Sequence, residues 1–300
     1  PFSTTAIYGM INHLEREHGV WFAMGGTGAL VDAFDRLMRE EGITISLNTT
    51  IAQIKVQDGH ASGVVLETGE EIDADLIVSN MDPMHVYKNM LPQSQISPVA
   101  KVRTKAARLS MGLYVLYFGT TKTYPDVAHH TVWFGERYKE LLRDIFKNKK
   151  LTDDFSLYVH RPTATDHSFA PNGCDSFYVL CPVPNLAGGQ DWAIEGPKLR
   201  DRIVAALEDT MLPELTDHIT AEFAMTPEDF SNDYLSVDGA GFSLSPFFTQ
   251  SAWFRFHNRG EGVRDLYFVG SGTHPGAGLP GVVSSAKVLD ALVPVAEPAT

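Results

Sequence analysis

Between Gly270 and Val282 the chain reads GSGTHPGAGLPGV, five glycines and two prolines set between the apolar run DLYFVG and the stretch PGVVSSAKVLDALV. Periodicity predicts a short strand, a glycine-rich loop, and a helix whose amino end points back at the loop. Such an arrangement gathers backbone N–H groups and the positive end of a helix dipole at one spot, which suits a phosphate or another electron-rich group. A tight turn with unusual dihedrals is the plainer reading, but a turn alone rarely needs so many glycines beside two prolines and a histidine. Gly276, Gly278 and Gly281 also spell G-x-G-x-x-G. The dinucleotide fingerprint requires a second strand after the helix and an acidic residue about twenty positions on. Glu297 falls near that distance with no strand to carry it, so the match is read as accidental.

Composition narrows the partners. The chain has 300 residues, enough for a sizeable core and two lobes, and its 24 basic against 37 acidic side chains give a formal charge of −13. That balance opposes a broad phosphate-neutralising surface, so nucleic acid is not expected as a partner. Two cysteines, Cys174 and Cys181, are too few for a disulfide framework and point to a reduced, cytoplasmic setting. No apolar run reaches the length of a membrane-spanning helix. The chain opens on Pro1, inside what reads as a folded segment, which suggests a piece of a longer protein.

Along the chain, TAIYGMINHLEREHGV and GGTGALVDAFDRLMREEG read as amphipathic helices stopped at Gly19 and Gly42. ITISLNTTIAQIKV, GVVLET and EIDADLIVSN read as strands joined around Asp58-Gly59 and Gly69. SMGLYVLYFG and SFYVLCPVP read as long buried strands, and GPKLRDRIVAALEDTM as a helix with Pro197 in its first turn. Residues 135–151, GERYKELLRDIFKNKKL, carry six basic side chains against three acidic ones, with Leu141, Leu142, Ile145 and Phe146 on an apolar face. This helix suits either an anionic membrane surface or plain solvent. His129 and His130 are not expected to bind a metal, since neighbours in a strand or helix point apart and spacing suggests no third ligand.

The run LYFVGSGTHPGAGLPGVVSSAK, together with GVWFAMGGTGALV, AHHTVWFGERYKELL, DFSLYVH, EGPKLRDRI and TQSAWFRFHNR, resembles the bacterial-type phytoene desaturases of carotenoid biosynthesis over essentially the whole chain. The resemblance implies an α/β, mixed α+β fold of the amine-oxidase type, in which a FAD-binding doubly wound domain is interleaved with a mixed-sheet and helical substrate domain. It implies residues 1–24 in a substrate or helical region, 25–84 in the FAD-binding domain, 85–250 in the substrate domain with its membrane-associating part, and 251–300 back in the FAD-binding domain. Gly270, Gly272, Thr273, His274, Pro275, Gly276, Gly278, Pro280, Gly281 and Val282 would then close over the isoalloxazine and ribityl end of FAD. Gly25 to Leu30 would lie in the same domain, as would the strand around Ile51, near the adenine. The segment that in the family holds the ADP half of FAD is missing from this sequence, so the chain as given is expected to bind FAD weakly or not at all.

The implied activity is FAD-dependent desaturation of phytoene or a related carotenoid by a peripheral membrane enzyme. Carotenoid isomerases, 3,4-desaturases, ketolases and amine oxidases share the fold, and a cofactor-free lipid-binding or interaction protein is the rival of a different class. His274 is the candidate proton acceptor, its imidazole also fitting a structural hydrogen-bonding role. Phe247, Trp253 and Phe254, in the aromatic-dense SPFFTQSAWFRFHNR, are candidate substrate contacts, and core packing accounts for the same residues. Local motifs leave open the number of desaturation steps, the electron acceptor and the oligomeric state.

Overall fold

The computed structural model describes residue 2 and residues 4–295. Among them run ten strands: β1 (Ile51–Gln57), β2 (His60–Leu66), β3 (Glu71–Asp73), β4 (Ile77–Ser79), β5 (Gly112–Thr120), β6 (His130–Trp133), β7 (Leu157–His160), β8 (Asp175–Val183), β9 (Ile219–Met225) and β10 (Leu266–Phe268). The chain forms two compact units, one of residues 1–8, 47–110 and 231–300, the other of residues 9–46 and 111–230.

In the first unit β1, β2 and β3 form an antiparallel sheet, and β10 pairs in parallel with β4, Leu266 lying opposite Ile77. The β1–β2 hairpin turns at Asp58-Gly59 as expected, both residues taking positive φ (49° and 78°), the pairing a two-residue hairpin turn requires. The strand reading of ITISLN does not hold, for regular pairing begins only at Ile51. The core joins Ile54 and Ala61 to Val86, Tyr87, Phe256, Leu266 and Phe268. All three residues of β10 are buried, so the strand is anchored on both faces and presents the next residues of the chain from a fixed base.

The second unit is built on an antiparallel sheet in the order β6-β7-β8-β5-β9. Along β8, Phe177, Val179, Cys181 and Val183 alternate inward, as a half-buried strand demands. The helix Trp192–Thr210 turns Leu199, Ile203 and Leu207 into the same core. Each of these burials is worth about 1.5–3 kcal/mol relative to exposure. This helix starts earlier than the sequence suggested: Asp191 caps it by accepting from the Ala193 N–H at 3.1 Å, and Pro197 sits inside it. Leu141 and Ile145 are also buried here, so the apolar face of residues 135–151 is largely spent on packing. By contrast, the helices Gly9–His18 and Gly26–Glu40 leave Met10, Ile11, Leu14, Val31, Phe34 and Leu37 exposed. No helix among the described residues is long and apolar enough to cross a membrane.

These boundaries differ from the reading at 24/25, 84/85 and 250/251. Residues 25–46 group with the five-stranded sheet rather than with Ile51, because Gly25 donates its N–H to Asp166 Oδ2 at 2.8 Å and Gly26 packs against the ring of Phe169.

Candidate functional site

The glycine loop leaves β10 and returns through the helix Leu279–Val288. Its first half is locked down. Gly270, at φ 99°, donates its N–H to Ser285 Oγ at 2.8 Å, and a Cβ on it would stand 3.1 Å from Asn80 O. A Cβ on Gly272 would stand 2.4 Å from the Pro83 ring. Thr273 is fully buried, its hydroxyl donating to Phe256 O at 2.7 Å, and the His274 N–H donates to the same carbonyl at 3.1 Å. Asn258 ties strand to loop by donating to Phe268 O (3.1 Å) and His274 O (3.0 Å).

The second half faces outward. Gly276 and Gly278 take φ 138° and 96°, conformations that glycine alone adopts without strain. Residues 277–280 are exposed, Pro280 lies in the first helical turn, and a Cβ on Gly281 would come within 2.6 Å of Gly276 O. The first N–H groups of any helix have no partner inside it, so this open end offers donors. Of the predicted contacts, Gly270, Gly272, Thr273 and the buried Gly276, which packs on Arg255, therefore support the loop, while the exposed Gly278 and Pro280 and the half-buried Gly281 and Val282 shape its open rim. Pro275 and the His274 ring are half-buried between them. Ile51 is 40% exposed at the start of β1, paired with Leu66 in the three-stranded sheet.

Beneath the loop lie polar groups that the sequence reading did not place. Arg255 is only 2% exposed, and its Nη2 donates to Ser271 O (2.6 Å) and Phe242 O (3.0 Å). Asp82 caps the short helix Pro83–His85 by accepting from the Met84 N–H at 2.9 Å. Burial raises the Asp82 carboxyl above its ordinary range and lowers the Arg255 guanidinium, and in both cases it outweighs their mutual attraction. The Ser243 hydroxyl lies close enough to the Asp82 carboxylate to hydrogen-bond it, whereas Arg255 Nε and His274 Nδ1 are buried without a hydrogen-bond partner among the described residues. Unpaired buried polar atoms are costly, and two of them beside one loop mark a place shaped for something polar.

The aromatic run divides by face. Phe256 enters the core, whereas Trp253 and Phe254 are 63% and 48% exposed. The Trp253 ring meets the His274 ring edge-on at 5.9 Å, and Phe254 packs on Phe248 at 5.1 Å. Phe247 is half-buried under the Arg108 guanidinium, 5.6 Å from its ring centre. An exposed aromatic surface thus adjoins the loop within the same unit. Arg259 donates to Leu292 O at 2.9 Å.

A second cluster lies in the other unit. His130 opens β6 directly opposite His160 at the end of β7, and His129, just before the strand, turns its ring onto both. The premise that His129 and His130 point apart does not hold, because His129 lies outside the regular strand. Their rings stand 4.4 Å apart. His129 Nε2 and His160 Nε2 are 2.7 Å apart, His129 Nδ1 meets Thr165 Oγ1, and His130 Nδ1 meets the Tyr158 hydroxyl at 2.6 Å. Burial, with the two neighbouring histidines, pushes His160 down to about 4.

The sequence matches the family described as flavin containing amine oxidoreductase over residues 2–288. It is 48% identical, over 288 residues, to a lycopene-forming phytoene desaturase of a Paracoccus species, covering 96% of this chain and 58% of that protein. To a neurosporene-forming phytoene desaturase of Rhodobacter capsulatus it is 45% identical over 300 residues, covering 98% of this chain and 57% of the relative. The chain therefore spans less than three fifths of the length of these curated relatives. Among solved structures, an oxidoreductase from Methanosarcina mazei superposes with a TM-score of 0.66 at 15% identity, over 95% of this chain and 58% of that one, a likeness of fold. The resemblance to bacterial phytoene desaturases and the mixed α/β fold expected from it are borne out.

Proposed function

The chain belongs to the flavin-containing amine oxidoreductases, and from that premise we propose that its residues serve the FAD-dependent desaturation of phytoene or a closely related carotenoid. The observation that carries this reading is the glycine loop itself: an open backbone rim at residues 277–280 beside buried polar groups and exposed aromatic rings. Those residues fit a flavin. A flat, polar-edged ring system needs close backbone approach, which the exposed Gly278 permits, and donors or acceptors at its edge, which the helix end, Arg255 Nε and His274 Nδ1 supply.

When bound, the flavin supplies the hydride acceptor for the carbon–carbon bond being desaturated. The chain's own residues must hold the polyene, and a base or solvent receives the proton lost from the neighbouring carbon. Trp253 and Phe254 offer apolar faces with the area to align an isoprenoid chain beside the loop. The His274 ring, edge-on to Trp253, is our candidate to take that proton. We place the enzyme at a membrane surface, where its water-insoluble substrate resides. The exposed stripe of Val31, Phe34 and Leu37 supports that placement better than residues 135–151, whose apolar side is largely buried.

The test exchanges the aligned 288 residues of the Paracoccus relative for these, and supplies the chimera to bacteria that accumulate phytoene. Coloured polyene is expected. A folded, flavin-bearing chimera that leaves phytoene colourless would overturn the assignment.

A further inference from the structure

We propose that His129, His130 and His160 form a binding site for one divalent transition-metal ion of the zinc class. Their ligand atoms all lie within 4.8 Å of one another. The β6–β7 register places His130 and His160 as direct cross-strand partners, and the Arg161 N–H donating to His129 O at 2.9 Å carries the pairing one residue further. The backbone thus holds all three imidazoles at one end of the strand pair. Three histidines converging from a sheet edge are a donor set suited to zinc, copper or nickel, since neutral imidazole is a borderline-soft ligand.

The outer contacts strengthen the case. A metal-bound histidine usually engages its other ring nitrogen in a hydrogen bond that fixes the ring. Here His129 gives Nδ1 to Thr165 Oγ1 and His130 gives Nδ1 to the Tyr158 hydroxyl, which leaves the Nε2 atoms of both for an ion. The short His129–His160 contact, 2.7 Å between Nε2 atoms, requires a shared proton when no metal is bound. A cation would take that proton's place. Zinc–nitrogen bonds of about 2.0–2.1 Å in a tetrahedron put ligand nitrogens about 3.3 Å apart. Spacings between 2.7 and 4.8 Å reach that value through side-chain rotation alone. Three protein ligands leave a fourth position for water or an incoming donor, and the Phe22 ring, 4.6 Å from that of His129, screens one side.

The chain is titrated with zinc chloride by calorimetry, and with cobalt chloride by visible absorption. One equivalent of zinc and a cobalt spectrum of tetrahedral intensity are expected, with zinc affinity falling more than tenfold in His160→Gln and in His129→Gln and unchanged in the control His218→Gln. Tyr158→Phe leaves all three rings in place and should weaken zinc about tenfold through loss of the outer contact, a result that stands even if a histidine variant misfolds. Stoichiometry below one, a cobalt spectrum like that of the free ion, or zinc binding indifferent to His160→Gln and Tyr158→Phe would each overturn the site.

Discussion

Gly281→Ala sets two effects of opposite sign against each other. Position 281 is helical, and by intrinsic propensity alanine is better there than glycine by at most about 1 kcal/mol, less in a first turn where the backbone is only partly constrained. Against this, the new methyl would lie 2.6 Å from the carbonyl oxygen of Gly276, whereas ordinary contact begins at 3.4 Å. The loop must therefore open by the difference, 0.8 Å, and its partner is backbone rather than a side chain that can swing away. Overpacking of this kind costs about 1–3 kcal/mol. The clash wins, and a net loss of about 1–2 kcal/mol is expected, or a fall in Tm of about 2–4 °C for each kcal/mol. Gly28→Ala is the internal standard: it is the third residue of its helix just as Gly281 is, nothing lies within 4 Å of its Cβ position, and it should gain less than about 1 kcal/mol with no clash to oppose it. Thermal unfolding followed by far-ultraviolet circular dichroism reads both. A Gly281→Ala protein as stable as the parent, or stabilised like Gly28→Ala, would refute the claim that the loop closes on itself at this glycine.

Four further outcomes follow from the same geometry. Ser285→Ala strips the buried Gly270 N–H of its acceptor and should lower stability by about 1–3 kcal/mol in urea unfolding, whereas an unchanged midpoint would mean that another group takes that hydrogen. Asp82 has a folded-state pKa raised by burial, so its contribution is most favourable below the unfolded value of 3.8 and is lost as pH rises through the folded one. Asp82→Asn, which keeps the cap, should accordingly gain on the parent as pH climbs from about 4 towards neutrality, and an advantage that shrinks with pH would contradict the assignment. In the chimera, His274→Gln should slow desaturation about a hundredfold at unchanged flavin content if the imidazole takes the proton, while an equal rate would remove it from that role. Trp253→Ala should raise the phytoene concentration needed for half-maximal rate and leave flavin content alone, and loss of flavin instead would reassign the ring to cofactor support.

What could be read in the sequence was local. The Asp58-Gly59 turn declared itself because both residues tolerate positive φ, and Gly19 and Gly42, at φ 76° and 79°, marked the ends of the first two helices for the same reason. The loop at residues 270–282 was legible because its glycine content exceeds what a turn needs. Its floor was not. Asp82 and Arg255 come from distant parts of the chain, and only the pairing of β4 with β10 and the packing of Ser271 on Arg255 bring them under the loop. The start of the helix Trp192–Thr210 was misplaced because Pro197 looks like a first-turn proline until Asp191 is seen to cap the helix. His160 stayed hidden from His129 and His130 because cross-strand register, not spacing along the chain, makes them neighbours.

The account turns on where the flavin ring sits. Solving the structure of the flavin-loaded chimera measures this directly: the isoalloxazine ring is expected within about 3–4 Å of backbone atoms between Gly276 and Gly281, with Arg255 Nε or His274 Nδ1 in hydrogen-bonding reach of the bound group. A ring found more than about 10 Å from that rim, with the buried polar atoms of Arg255 and His274 still unpartnered, would contradict it.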